Sequence, residues 1–127
     1  MEPTYSFEEQ DRLLRLRFTP AGGLDEWVAT MQALVKDPRF RPGLRVLADR
    51  TLAPAPDTAA VRTMMGFIEA NAERFRGVLW AMVVPDTVSY GMARMGQAIL
   101  DRIGLTYQIF HDVPSAERWL RGASGTP

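Results

Sequence analysis

Polar and apolar positions alternate at the start of the chain. Tyr5 and Phe7 sit between polar neighbours, and 12-RLLRLRF-18 sets Leu14, Leu16 and Phe18 against Arg15 and Arg17. A period of two belongs to a β-strand with one buried face. The acidic turn 8-EEQD-11 is short, so the two strands are expected to form an antiparallel hairpin. The arginine face of the second strand should be partly wet, or shielded by the arginines' own aliphatic stems.

After Thr19-Pro20 and Gly22-Gly23 the period changes. Leu24, Trp27, Val28, Met31, Leu34 and Val35 recur at helical spacing, with Asp25 and Glu26 in the first turn, where the helix dipole favours acids. Asp37-Pro38 ends that helix. A third strand follows at 44-LRVLAD-49. The proline-containing loop 50-RTLAPAPD-57 leads to a second helix marked by Val61, Met64, Met65, Ile68 and Ala72, with Asp57 or Thr58 as its cap. Gly77 precedes 78-VLWAMVV-84, whose unbroken apolar run predicts a strand buried on both faces. Pro85-Asp86-Thr87 opens a third helix with the stripe Val88, Met92, Met95, Ile99 and Ile103, closed by Gly104. This helix carries Gly91 and Gly96 in its interior, each costing about 1 kcal/mol against alanine. Close packing against a neighbour is the simplest reason for both. The fifth strand is 105-LTYQIF-110, and a last helix runs from about Pro114 to Leu120.

The order ββαβαβαβα predicts an α/β fold. A single, mostly parallel five-stranded sheet would carry an antiparallel N-terminal strand and four helices. Residues 1–121 form one domain on this pattern, and 122–127 a mobile C-terminal tail.

Composition narrows the function. Lys plus Arg and Asp plus Glu are 15 each, which leaves no electrostatic footprint for nucleic acid or an anionic membrane. There is no cysteine, so thiol nucleophiles and thiolate metal sites are excluded. No apolar run is long enough to span a membrane, and the N-terminal stretch has early acids, unlike a signal peptide. A cytoplasmic protein is expected. No P-loop and no G-x-G-x-x-G motif occurs, so no cofactor is expected.

Several segments carry a family resemblance. They are 37-DPRFRPGLRVLAD-49, 79-LWAMVV-84, 89-SYGMARM-95 and 107-YQIFHDVPSAERWL-120, following the N-terminal hairpin. In this order they resemble the bacterial SpoIIAA-like proteins, the STAS/SEC14-domain group, over nearly the whole chain. The resemblance implies a helix-wrapped sheet related to anti-sigma-factor antagonists and lipid-binding SEC14 domains. It implies a non-enzymatic binding or interaction module, acting through a protein partner or a homodimer. In the antagonists a serine within D-S-[ST]-G is phosphorylated. Here the corresponding 57-DTAA-60 keeps Asp57 and a hydroxyl at Thr58 but lacks the second hydroxyl and the glycine.

Ligands of open α/β sheets gather beyond the carboxyl ends of the strands. Asp49-Arg50, Asp86-Thr87 and His111-Asp112 follow three strands there. An anion or polar-headgroup pocket would draw on Asp49, Arg50, Thr87, Tyr90, Met92 and Arg94, because guanidinium grips carboxylate and phosphate bidentately. Arg94 serves equally as a structural pin to Asp49 or a nearby acid. Met64, Met65, Met82, Met92 and Met95 are either core filler or the wall of a pocket for a small amphipathic ligand. Asp49, Asp86 and Asp112 would have to converge to hold a metal for an enzyme, whereas caps and loops explain Asp86 and Asp112 equally well. His111, the single histidine, has Ser89 and Ser115 nearest, and neither lies in a nucleophile elbow. No catalytic set is therefore expected. Trp27, Trp80 and Trp119 fall on apolar faces and read as packing.

Overall fold

The structure, a computed structural model, describes residues 4–8 and 12–125. The acidic turn beyond Glu8 and the final two residues of the expected tail lie outside the described residues.

Five strands form one sheet in the order β1 (Thr4–Glu8), β2 (Leu13–Arg17), β3 (Arg45–Asp49), β4 (Leu79–Val83) and β5 (Thr106–Phe110). β1 pairs antiparallel with β2, and every later pair is parallel. The expected α/β class and the antiparallel first strand are both present.

Among the described residues six helices occur where four were expected: α1 (Gly23–Lys36), α2 (Thr58–Ala70), α3 (Ala72–Phe75), α4 (Thr87–Met95), α5 (Gln97–Arg102) and α6 (Val113–Gly125). The second expected helix breaks at Asn71, and the third breaks at Gly96. The last helix runs on to Gly125, past its expected end at Leu120 and into the stretch expected to be a tail.

Register sorts the side chains. Leu14, Leu16, Val46, Ala48, Trp80 and Tyr107 share one face and join the main core with Trp27, Met31, Leu34, Met64, Ile68 and Leu100. The helices α1 to α5 contribute to this face or pack beside it. Parallel neighbours added always in the same direction, with crossovers of one hand, put every connecting helix on one side. Among the described residues only α6, which follows the last strand, lies across the other face, over Leu13, Leu47, Ala81 and Val83 through Ala116 and Leu120. β4 is thus covered on both faces, as its apolar run suggested.

The arginine side of β2 is the half-wet part of that second face. Arg15 donates to Glu8 at 2.9 Å and to Glu117 at 2.7 Å, tying β1 and α6 to β2, while Arg17 is exposed. At the far end of α1, Asp37 takes Arg39 through both oxygens, and the Arg39 guanidinium lies 4.0 Å from the Phe7 ring centroid. Arg74 of α3 donates to the carbonyls of Val35 at 2.9 Å and Asp37 at 3.0 Å. It meets the negative end of the α1 dipole there. No helix among the described residues is long and apolar enough to cross a membrane.

Candidate functional site

The geometry begins with α4. Asp86 caps it, accepting from the Ser89 amide at 2.8 Å, and this bond holds the Asp86 carboxyl below its ordinary range. The face turned to the sheet is Ser89, Met92, Ala93 and Gly96, continued by Leu100 of α5. It differs from the expected stripe: Val88 and Met95 are exposed, at 61% and 48%. Large residues would have filled the layer. Serine, alanine and glycine do not, and an apolar cavity of about 60 Å³ remains between α2, α4 and the β4–β5 part of the sheet. That is room for about four to six waters, at roughly 10–15 Å³ each. Its apolar wall includes Trp27, Met64, Met65, Met82 and Met92. Four of the five candidate methionines are therefore wall residues, and Met95 is not.

Four polar groups reach this wall. Arg50 follows β3 directly, its amide donating to the Val83 carbonyl at 2.9 Å. Its side chain lies under the loop and is only 8% exposed. The guanidinium carbon stands 5.1 Å from the Phe18 ring centroid, and Nη2 donates to the Pro54 carbonyl at 3.2 Å. Arg50 forms no ion pair among the described residues. Burial pulls the guanidinium pKa below its ordinary value, and the Glu26 carboxylate opposes that shift from a distance. Glu26 itself is engaged by Thr19, through the amide at 2.9 Å and the hydroxyl at 2.8 Å. The Tyr107 hydroxyl is pushed well up by burial, with Arg50 opposing the shift. Trp80 Nε1 is fully buried without a hydrogen-bond partner, and Ser89 Oγ is buried with none of good geometry, although it stands close enough to Asp86 to help lower that carboxyl pKa. Each such orphan costs about 1–3 kcal/mol.

A surface groove of about 410 Å³ runs past Gly23, Leu24 and Pro54 and meets the cavity at Arg50, Pro56 and Met64. Arg50 thus stands where the enclosed space joins the outside.

The six expected binding residues divide. Arg50 and Met92 line the cavity. Tyr90 and Arg94 line a separate, open recess of about 550 Å³ with Gln97, Asp101 and Gln108. Arg94 is exposed and pairs with no acid among the described residues, so it is neither a pin to Asp49 nor a donor to the cavity. Its position two residues after Met92 turns it away from the sheet. Asp49 belongs to the face that α6 covers, where its Oδ1 accepts from the Thr51 amide and hydroxyl at 2.9 and 2.6 Å. Thr87 is an exposed first residue of α4.

The acids proposed for a metal each have a local occupation. Asp112 caps α6, accepting from the Ser115 amide at 2.7 Å, as Asp86 caps α4. No group of three His, Cys, Asp or Glu residues suited to a metal occurs among the described residues. His111 stacks on Tyr90, ring centroids 5.3 Å apart, rather than engaging Ser89. Asp57, not Thr58, caps α2 through the Ala60 amide at 2.8 Å.

Sequence patterning missed Ser89, Trp80 and Tyr107. The signal was present in the i, i+3, i+4, i+7 spacing of Ser89, Met92, Ala93 and Gly96, but small residues weigh little in a hydrophobic count. Neither family models nor curated proteins nor solved structures gave a match to this chain.

Proposed function

We propose that this chain is a cytoplasmic, non-enzymatic binding module of the SpoIIAA-like, STAS/SEC14 kind, and that it carries or senses a small amphipathic ligand. The observation that supports this most is Arg50: a charged side chain, nine-tenths buried, on the wall of an apolar cavity and without an ionic partner among the described residues. Burying a charge is costly unless a partner offsets it. A ligand with a polar end at Arg50 and an apolar end among Met64, Met65 and Met92 supplies the partner and fills the space. Methionine walls suit a ligand whose shape varies, since the thioether chain adapts.

Native mass spectrometry tests this directly, on protein as purified and after incubation with straight-chain alkanoates from butanoate to octanoate. The expected result is added mass that leaves on denaturation. No adduct in any of these samples, together with an unchanged melting temperature at millimolar alkanoate, would overturn it.

A further inference from the structure

We infer that the polar end of the ligand is a single carboxylate, held by the Arg50 guanidinium on a wall whose other buried polar groups, Ser89 and Trp80, can also donate. This rests on the binding reading above and names the ligand's chemistry.

Hydrogen-bond capacity points the same way at each group. Guanidinium and indole N–H can only donate, and a serine hydroxyl can do so. Arg50 has five N–H donors in a planar fork, and one hydrogen bond of that fork, to Pro54, is formed within the described residues. Trp80 Nε1 and Ser89 Oγ are orphaned on the same wall. A site built from unmet donors is complementary to a group made of acceptors. An ionised carboxylate is acceptor-only, with two oxygens that match the guanidinium fork.

Charge sets the valence. Arg50 is the only charged side chain on the cavity wall among the described residues. A monoanion is neutralised one for one. A phosphate monoester would bring nearly two charges into a dry space that holds one cation, and uncompensated buried charge is strongly disfavoured. Size sets a limit: about 60 Å³ takes the head group and only the first few carbon atoms of a chain. The outer groove, reached past Arg50, leaves room for a longer substituent to run out toward Leu24 and Pro54.

Isothermal titration with three probes of one shape tests the head group: hexanoate, hexanamide and 1-hexanol. Hexanoate is expected to bind about tenfold or more tightly than either neutral probe, because charge-assisted hydrogen bonds are roughly twice as strong as neutral ones. Arg50→Met should erase that preference and keep hexanol binding. Ser89→Ala should weaken hexanoate severalfold, and it keeps the test intact if Arg50→Met does not fold. Arg94→Ala, on the outer recess, should leave hexanoate binding unchanged. Equal affinity for hexanoate and hexanol in the native chain would overturn the carboxylate assignment and leave the cavity reading standing. Hexanoate binding that survives Arg50→Met and Ser89→Ala but is lost in Arg94→Ala would place the anion in the outer recess and overturn it too. Failure of all three probes would remove both this inference and the function it rests on.

Discussion

Met65 Sδ lies 2.5 Å from where a Cβ on Gly96 would stand, with Met65 Cε at 3.1 Å. The Met65 thioether therefore packs against the break between α4 and α5, and it is also cavity wall. Gly91, one turn earlier, has nothing within 4 Å of the same imagined atom.

The two glycines should respond oppositely to alanine. Gly91→Ala is expected to stabilise the protein by about 0.5–1 kcal/mol through helix propensity and a less flexible unfolded chain. Gly96→Ala should gain nothing and cost up to about 1 kcal/mol, since Met65 must turn aside. Urea unfolding measures both. A double-mutant cycle with Met65→Ala should show coupling of at least about 0.5 kcal/mol for Gly96 and none for Gly91.

The polar groups on the cavity wall should weaken the free protein. Removing an orphaned hydroxyl by Ser89→Ala is expected to raise stability by about 1 kcal/mol in probe-free buffer. Arg50→Met, which takes a buried guanidinium out of an apolar wall, should also raise the melting temperature while removing carboxylate binding. Stability gained as binding is lost marks a site kept for use rather than for folding. A fall in stability for both variants would mean that the groups are structural.

Acid should loosen the end of α1. Hydrogen bonding from Arg39 is the main cause that lowers the Asp37 pKa from 3.8 to about 2. A carboxyl with a depressed folded-state pKa stabilises above its unfolded value and loses that contribution as pH falls through the folded one. The Asp37 contribution should thus be complete above about pH 4 and fade toward about pH 2. Urea midpoints of the native chain and Asp37→Asn, compared across that window, should converge at its acid end.

Arg74 holds α3 against the last carbonyls of α1 by two charge-assisted bonds. Arg74→Met keeps the aliphatic stem and removes both. A loss of about 1.5–3 kcal/mol is expected from chemical denaturation.

Much of the fold was legible because strands and helices here obey their periods. The alternation in 12-RLLRLRF-18 marked β2 as a strand with one buried face, and the unbroken run 78-VLWAMVV-84 marked β4 as covered on both, while the order of the parallel strands was not legible. The helix breaks were not legible. Asn71 and Gly96 read as interior positions, because the apolar spacing continues across both of them. Arg50 was legible as a strand-end cation. Its burial was not, because that depends on the loop through Pro54 folding over it. Arg94 drew attention by standing alone among methionines, yet Val88 and Met95 show that the stripe itself was rotated. The true inward face is made of residues too small to register as a core.

The lopsided sheet has a consequence for the chain as it is made. Every strand of the sheet is translated before α6, the element that shields Leu13, Leu47, Ala81 and Val83. While α6 is still inside the ribosome, the nascent sheet presents a bare greasy side to its surroundings, and unshielded apolar surface of this kind is sticky. Synthesis would thus pass through a short window in which the chain depends on being finished quickly or held by a chaperone.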